Sequence, residues 1–329
     1  MRKVFTRSGL FTRDGGHVLP EFEQFPEGIQ LLHQPSKPAV VDIVFVHGLT
    51  GDRQRTWTHP EDRSPWPKTL LPQLIPNARI LTYGYDAYVI RQHGPVSSNR
   101  VRDHANHLLS HLATHRLDAS ARPIIFIAHS LGGLVCKDAL LLSRSSPEAH
   151  IQSIVRSTFA MTFMGTPHSG SALAAWAQIP AKSLGIVKSS NANLLAVLQT
   201  SSEVLSRIQD DFLSMLRALV KEESHIQITC FHETLPLPVL GIIVPRDSAV
   251  LSGYQSIPIR ANHSNMVKFK SANDPGFVGV SGELIRWVKE IQNSTTFAGA
   301  KTRFLQSLAF PEMGARLINV ESPFDNTCE

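Results

Sequence analysis

The segment Pro123-Ile-Ile-Phe-Ile-Ala-His-Ser130-Leu-Gly-Gly133 constrains the chain most: an apolar run leads into a small residue, a serine and two glycines, and a helical pattern follows. A serine on so sharp a strand-to-helix turn takes up strained backbone, and its neighbours at minus two and plus two must be small. Here they are Ala128 and Gly132. Alanine departs from the G-x-S-x-G pattern, yet its methyl group still meets the steric demand. The order strand, serine, helix makes Ser130 the candidate nucleophile.

Around this turn, short runs rich in Val, Ile and Phe alternate with longer helix-like segments, which predicts a doubly wound α/β fold on a mostly parallel sheet. The expected strands are 41–46, 78–83, 123–128, 159–164, 226–231 and 256–260, with helices at 102–115 and 134–142. About 60 residues separate the strands at 159–164 and 226–231, more than a crossover helix requires. A helical insertion is expected at about 170–220, built from 194–198 and 204–219 as two or three helices. It reads as a lid or as a plain crossover. Residues 1–30 are expected to be a lead-in or first hairpin, 31–292 the catalytic domain and 293–329 a C-terminal tail.

A second motif, Val41-Asp-Ile-Val-Phe-Val-His47-Gly48-Leu49, is a strand ending in His-Gly, a loop type that supplies an oxyanion-hole amide. Acyl transfer needs two backbone N–H groups aimed at the developing alkoxide. Leu49 and Leu131 are the candidates, while His47 is read as orienting the loop. A general base follows the nucleophile late in the chain, and His263, after the short run at 256–260, takes that place among fifteen histidines. The acid is open between two residues. Glu233 closes the run Ile226–Glu233 and is the first choice; Asp247, in Val-Pro-Arg-Asp-Ser, is the alternative. Gly165-Thr-Pro-His168 forms a tight turn after the preceding strand, and His168 is read as a packed loop histidine.

Composition removes other classes. Hydrophobic residues make up 42% and charged ones 18%, which excludes disorder. The net charge of +5 is scattered, so no nucleic-acid partner is expected. Three cysteines, Cys136, Cys230 and Cys328, fit neither a disulfide framework nor a zinc site. No metal or organic cofactor is expected. No run approaches the roughly 20 apolar residues of a membrane span, and no secretory signal is visible. A cytoplasmic location is expected, although Arg2, Lys3, Arg7 and Arg13 with no acid before Asp14 also suit a mitochondrial presequence.

Together, Val46-His-Gly-Leu49, Arg55-Thr-Trp57, the stretch 75–86, Ile127–Gly133, Gly165–His168, Glu233-Thr-Leu-Pro236 and Asn262-His263 resemble the SERAC1-like group of α/β-hydrolases, its fungal members in particular, over roughly residues 30–290. The resemblance implies an α/β-hydrolase fold and a Ser–acid–His hydrolase acting on lipid-like or other acyl esters. It departs at 235–244, which leaves the acid open. Three roles are compatible with it. One is a hydrolase of an ester or thioester of an apolar acyl group, with peripheral membrane contact. Another is a pathway thioesterase of polyketide-type metabolism with a carrier-protein partner. The third is a signalling or interaction module.

Overall fold

Among the described residues, seven strands build one sheet in the order β1-β3-β2-β4-β5-β6-β7, all parallel except β1, which pairs antiparallel with β3 at one edge. They are β1 (Gly28–His33), β2 (Val41–Val46), β3 (Ala78–Gly84), β4 (Ile124–His129), β5 (Thr158–Met164), β6 (Gln227–Glu233) and β7 (Gln255–Ile259). The computed structural model describes residues 27–49, 51–85, 98–168, 192–222, 224–238 and 240–309. The six strands expected from sequence are present within one or two residues at each end.

The central strands read as unbroken apolar runs because both of their faces are covered. Every residue of β2 and β4 is buried. Val44, Val46, Phe126 and Ala128 pack on one face with α3 (Ser98–Thr114) and α4 (Leu131–Ser145). Ile43, Phe45, Ile125 and Ile127 pack on the other with Phe277, Leu284 and Trp287 of the C-terminal helix α8 (Pro275–Ala309). Period-two alternation thus assigns each strand residue to a layer. Two single-turn helices, α1 (Trp66–Thr69) and α2 (Leu71–Leu74), precede β3, and α5 (Ala149–Ser157) leads into β5.

At the base of the sheet, Asp42 is fully buried beneath three arginines. Arg79 grips both of its carboxylate oxygens, at 2.7 and 3.0 Å, and Arg116 and Arg122 complete the cluster. This ties β2 and β3 to the α3–β4 connection at the end of the sheet opposite Ser130.

Three expectations meet a different structure. The segments 194–198 and 204–219 belong to one continuous helix, α6 (Ala192–Lys221), because no Gly or Pro interrupts it and Ile208, Phe212, Met215 and Leu219 recur at helical spacing against the core. The sheet begins at Gly28, so β1 crosses the expected boundary at 30/31, and its pairing is with β3. Helix α8 continues past residue 292 to Ala309. Residues 1–26, 169–191 and 310–329 lie outside the described residues, as do most of the expected lead-in, the first part of the insertion and the end of the tail.

Candidate active site

Ser130 sits where β4 stops and α4 starts, with φ 54° and ψ −122°; among the described residues it is the only non-glycine with positive φ. Such a conformation costs of order 1–3 kcal/mol and persists only where the surroundings impose it. Here the Ser130 N–H donates to the Met164 carbonyl on β5 at 2.9 Å, and the Ser130 carbonyl accepts from Gly133 N–H at 3.1 Å. The plus-two position is as crowded as the sequence implied. A Cβ on Gly132 would lie 2.5 Å from the carbonyl oxygens of both Val46 and His47. Gly132→Ala is therefore expected to lower the unfolding free energy by about 1–3 kcal/mol, since backbone atoms must shift to admit the methyl. Urea denaturation checks this, and an unchanged midpoint would contradict it.

His263 arrives on the loop after β7, where Asn265 and Met266 N–H groups bond back to the Asn262 carbonyl. Its Nε2 is 3.0 Å from Ser130 Oγ, and its Nδ1 is 2.5 Å from Glu233 Oε2. The ring packs over Gly165, whose φ of +58° and missing side chain leave room for it: a Cβ there would be 2.9 Å from the imidazole. Glu233 is the last residue of β6 and is buried. Its other oxygen, Oε1, accepts N–H bonds from Ile243 at 2.5 Å and Val244 at 3.4 Å. The backbone at Ile243 and Val244 thus turns back to hold the carboxylate. Asp247 is exposed in the first turn of the single-turn helix α7 (Arg246–Ala249), and the imidazole faces Glu233 instead.

On the other side of Ser130, the end of β2 closes on the turn so tightly that a Cβ on Gly48 would be 2.6 Å from Ser130 Cβ. Leu49 follows, half-buried, and Leu131 is the first residue of α4. His47 is held by its own surroundings. Its Nδ1 lies 2.9 Å from the Gly48 carbonyl, its Nε2 accepts the Tyr85 N–H at 3.3 Å, and its ring stacks on Tyr85 at 4.4 Å. Burial pushes it down to about 4, so it is a neutral residue that orients the loop. His168 lies apart from His263, buried with Nδ1 2.5 Å from Lys137 Nζ. Burial holds its pKa well below the ordinary histidine value.

Two neighbours escaped the sequence reading. His129 contacts the His263 carbonyl through Nε2 at 3.1 Å, a placement that strand alternation from Ile125 and Ile127 implies. Lys137, two helical turns beyond Ser130, is fully buried; its spacing from Leu134 and Gly133 puts it on the inner face of α4. Among the described residues no group of three or more His, Cys, Asp or Glu is placed to hold a metal ion, and no helix is long and apolar enough to cross a membrane.

The sequence model of the alpha/beta hydrolase family matches residues 43–253, which include Ser130 and Glu233. Protein SERAC1 of Mus musculus is 31% identical over 277 residues, covering 76% of this chain and 40% of that protein. Protein SERAC1 of Homo sapiens is 31% identical over 276 residues, covering 75% and 39%. The chain thus spans about 40% of the length of these curated relatives. Among solved structures, the esterase domain from a Rhodothermus marinus protein superposes with a TM-score of 0.42 and 13% identity over 80% of this chain and 91% of that one. With its resemblance to the SERAC1 proteins carried by sequence identity along three quarters of its length, the chain belongs to the alpha/beta hydrolase family.

Proposed function

We propose that this protein is a serine hydrolase that cleaves an ester or thioester of an apolar acyl group through an acyl-enzyme. The observation that carries the reading is the hydrogen-bonded line from Ser130 Oγ to His263 Nε2, and from His263 Nδ1 to a buried Glu233. A carboxylate accepts, so Nδ1 carries the proton and Nε2 is left to accept one from the serine. Ser130 Oγ then attacks the substrate carbonyl as its proton passes to His263 Nε2. The Leu49 and Leu131 amides hold the resulting oxyanion. The imidazolium returns the proton to the departing alcohol or thiol, and a water activated by the same nitrogen releases the acid. An apolar acyl group is supported by Leu235 and Ile242, exposed large hydrophobics on the segment that wraps Glu233. A thioester substrate would arrive on a carrier protein or another acyl thiol.

A fluorophosphonate probe tests the reading directly. Wild-type protein should be labelled and Ser130→Ala should not, because the probe reacts only with an activated serine. Hydrolysis of acyl esters and thioesters of graded chain length, with the same variant as control, then ranks the substrates. Folded wild-type protein that resists the probe and turns over none of these would point to an interaction module instead.

A further inference from the structure

His129 immediately precedes Ser130, yet its side chain faces the loop that brings His263. Along β4 the odd-numbered residues Ile125 and Ile127 join the core layer that contains Met266 and Val267 of that loop. His129 continues this alternation. It is 7% exposed, and its ring lies 4.9 Å from the His263 ring at a 39° tilt. Its Nε2 is 3.1 Å from the His263 carbonyl oxygen. A carbonyl only accepts, so Nε2 carries the proton and Nδ1 is the lone-pair nitrogen. That Nδ1 edge lies against the β2 loop, where a Cβ on Gly48 would be 3.2 Å away. One imidazole therefore touches the oxyanion loop, belongs to the nucleophile turn and binds the backbone of the general base.

We propose that His129 is a positioning residue, whose neutral Nε2–H fixes the His263 backbone relative to Ser130. The assignment rests on the hydrolase reading above. The Ser130–His263 contact joins two segments 133 residues apart, and an error of about 1 Å between reacting groups costs on the order of 100-fold in rate. A donor bound to the main chain holds the loop while leaving the His263 ring free to serve Ser130 and Glu233. Neutrality also matters, because His263 becomes an imidazolium during each transfer and a second cation 4.9 Å away would oppose it. The charged and titratable groups facing His129 are His263, His47 and Lys268; burial, more than any of these, holds its pKa well below the ordinary histidine value.

The test compares His129→Gln, which keeps an N–H donor at the place of Nε2, with His129→Phe, which keeps the ring shape without it. Turnover of an activated short-chain ester should fall about 10- to 100-fold in kcat for Phe with KM within about threefold, and Gln should recover most of the loss. Equal impairment of both, or a folded Phe variant with wild-type kcat, overturns the proposal. A variant-free measurement accompanies it: long-range ¹⁵N NMR of the wild-type protein should give His129 as the neutral Nε2–H tautomer from pH 5.5 to 9. An Nδ1–H tautomer or a protonated ring in that range also overturns it, even if the Phe variant does not fold. Should wild-type protein show no turnover and no fluorophosphonate labelling, the hydrolase reading fails, while the tautomer still decides whether the His129 bond exists.

Discussion

Replacing Glu233 with glutamine is expected to lower kcat by about 10⁴-fold, whereas Asp247→Asn should leave it within about twofold of wild type. The amide keeps the size of the carboxylate, and its oxygen can still accept the Ile243 and Val244 N–H groups, so the fold around it is preserved. Its NH₂ then faces His263 Nδ1 and donates where the carboxylate accepted. That drives the imidazole proton to Nε2, the nitrogen that takes the serine proton in the proposed mechanism, and the proposed base is lost without a change of shape. Steady-state kinetics on an activated ester, with circular dichroism to verify folding, checks the pair. A large loss in Asp247→Asn, or equal slight effects in both, would overturn the acid assignment.

The two carboxylates illustrate what a sequence can and cannot convey. Glu233 ends β6 and Asp247 lies on the connection from there to His263, and distance along the chain does not choose between them. What separates them is backbone direction. The apolar stretch before α7 turns back and points the Ile243 and Val244 N–H groups at Glu233, leaving Asp247 on an exposed turn. The strand-to-helix turn at Ser130 was legible because its steric rule is local: strand, small residue, serine, glycine. The central strands were legible because parallel strands covered on both faces are continuous apolar runs.

Elsewhere the signal was weaker or misleading. Strand β1 packs half-exposed at an edge, and its Gly-Ile-Gln-Leu-Leu-His sequence lacks clean alternation. In α6 the stretch between the two expected segments contains the polar Thr200-Ser-Ser202, but residues other than Gly or Pro do not end a helix whose later turns pack on the core. His129 was hidden in plain sequence. It reads as the variable position of the serine motif, and only strand alternation, combined with where the late loop lands, gives it a partner.

Lys137 produces the second large effect, and it appears in stability against pH. Its Nζ is buried between His168 and Gln209 and lies 5.1 Å from the Phe163 ring and 5.6 Å from that of Phe212. No carboxylate among the described residues pairs with it. Burial pushes the ammonium down to about 7. From there up to the ordinary lysine value of roughly 10.4, the unfolded chain holds a proton that the folded chain has released, so stability rises with pH. Between pH 7 and pH 9 this one group is expected to add about 2 kcal/mol to the unfolding free energy, at up to 1.4 kcal/mol per pH unit. Lys137→Met removes the contribution. It also leaves the Gln209 amide oxygen and His168 Nδ1 without their donor, at a cost of about 1–3 kcal/mol each that does not vary over this window. The difference in unfolding free energy, wild type minus variant, should therefore rise by about 2 kcal/mol from pH 7 to pH 9 in urea titrations. The window lies above the range in which His168, held well below its ordinary value, would change charge. It also ends before much of the burial-raised Cys230 thiol could ionise, and the subtraction cancels the groups that Lys137 does not influence. A difference that stays flat would mean that Lys137 keeps its proton in the folded state, which requires water or a carboxylate to reach Nζ.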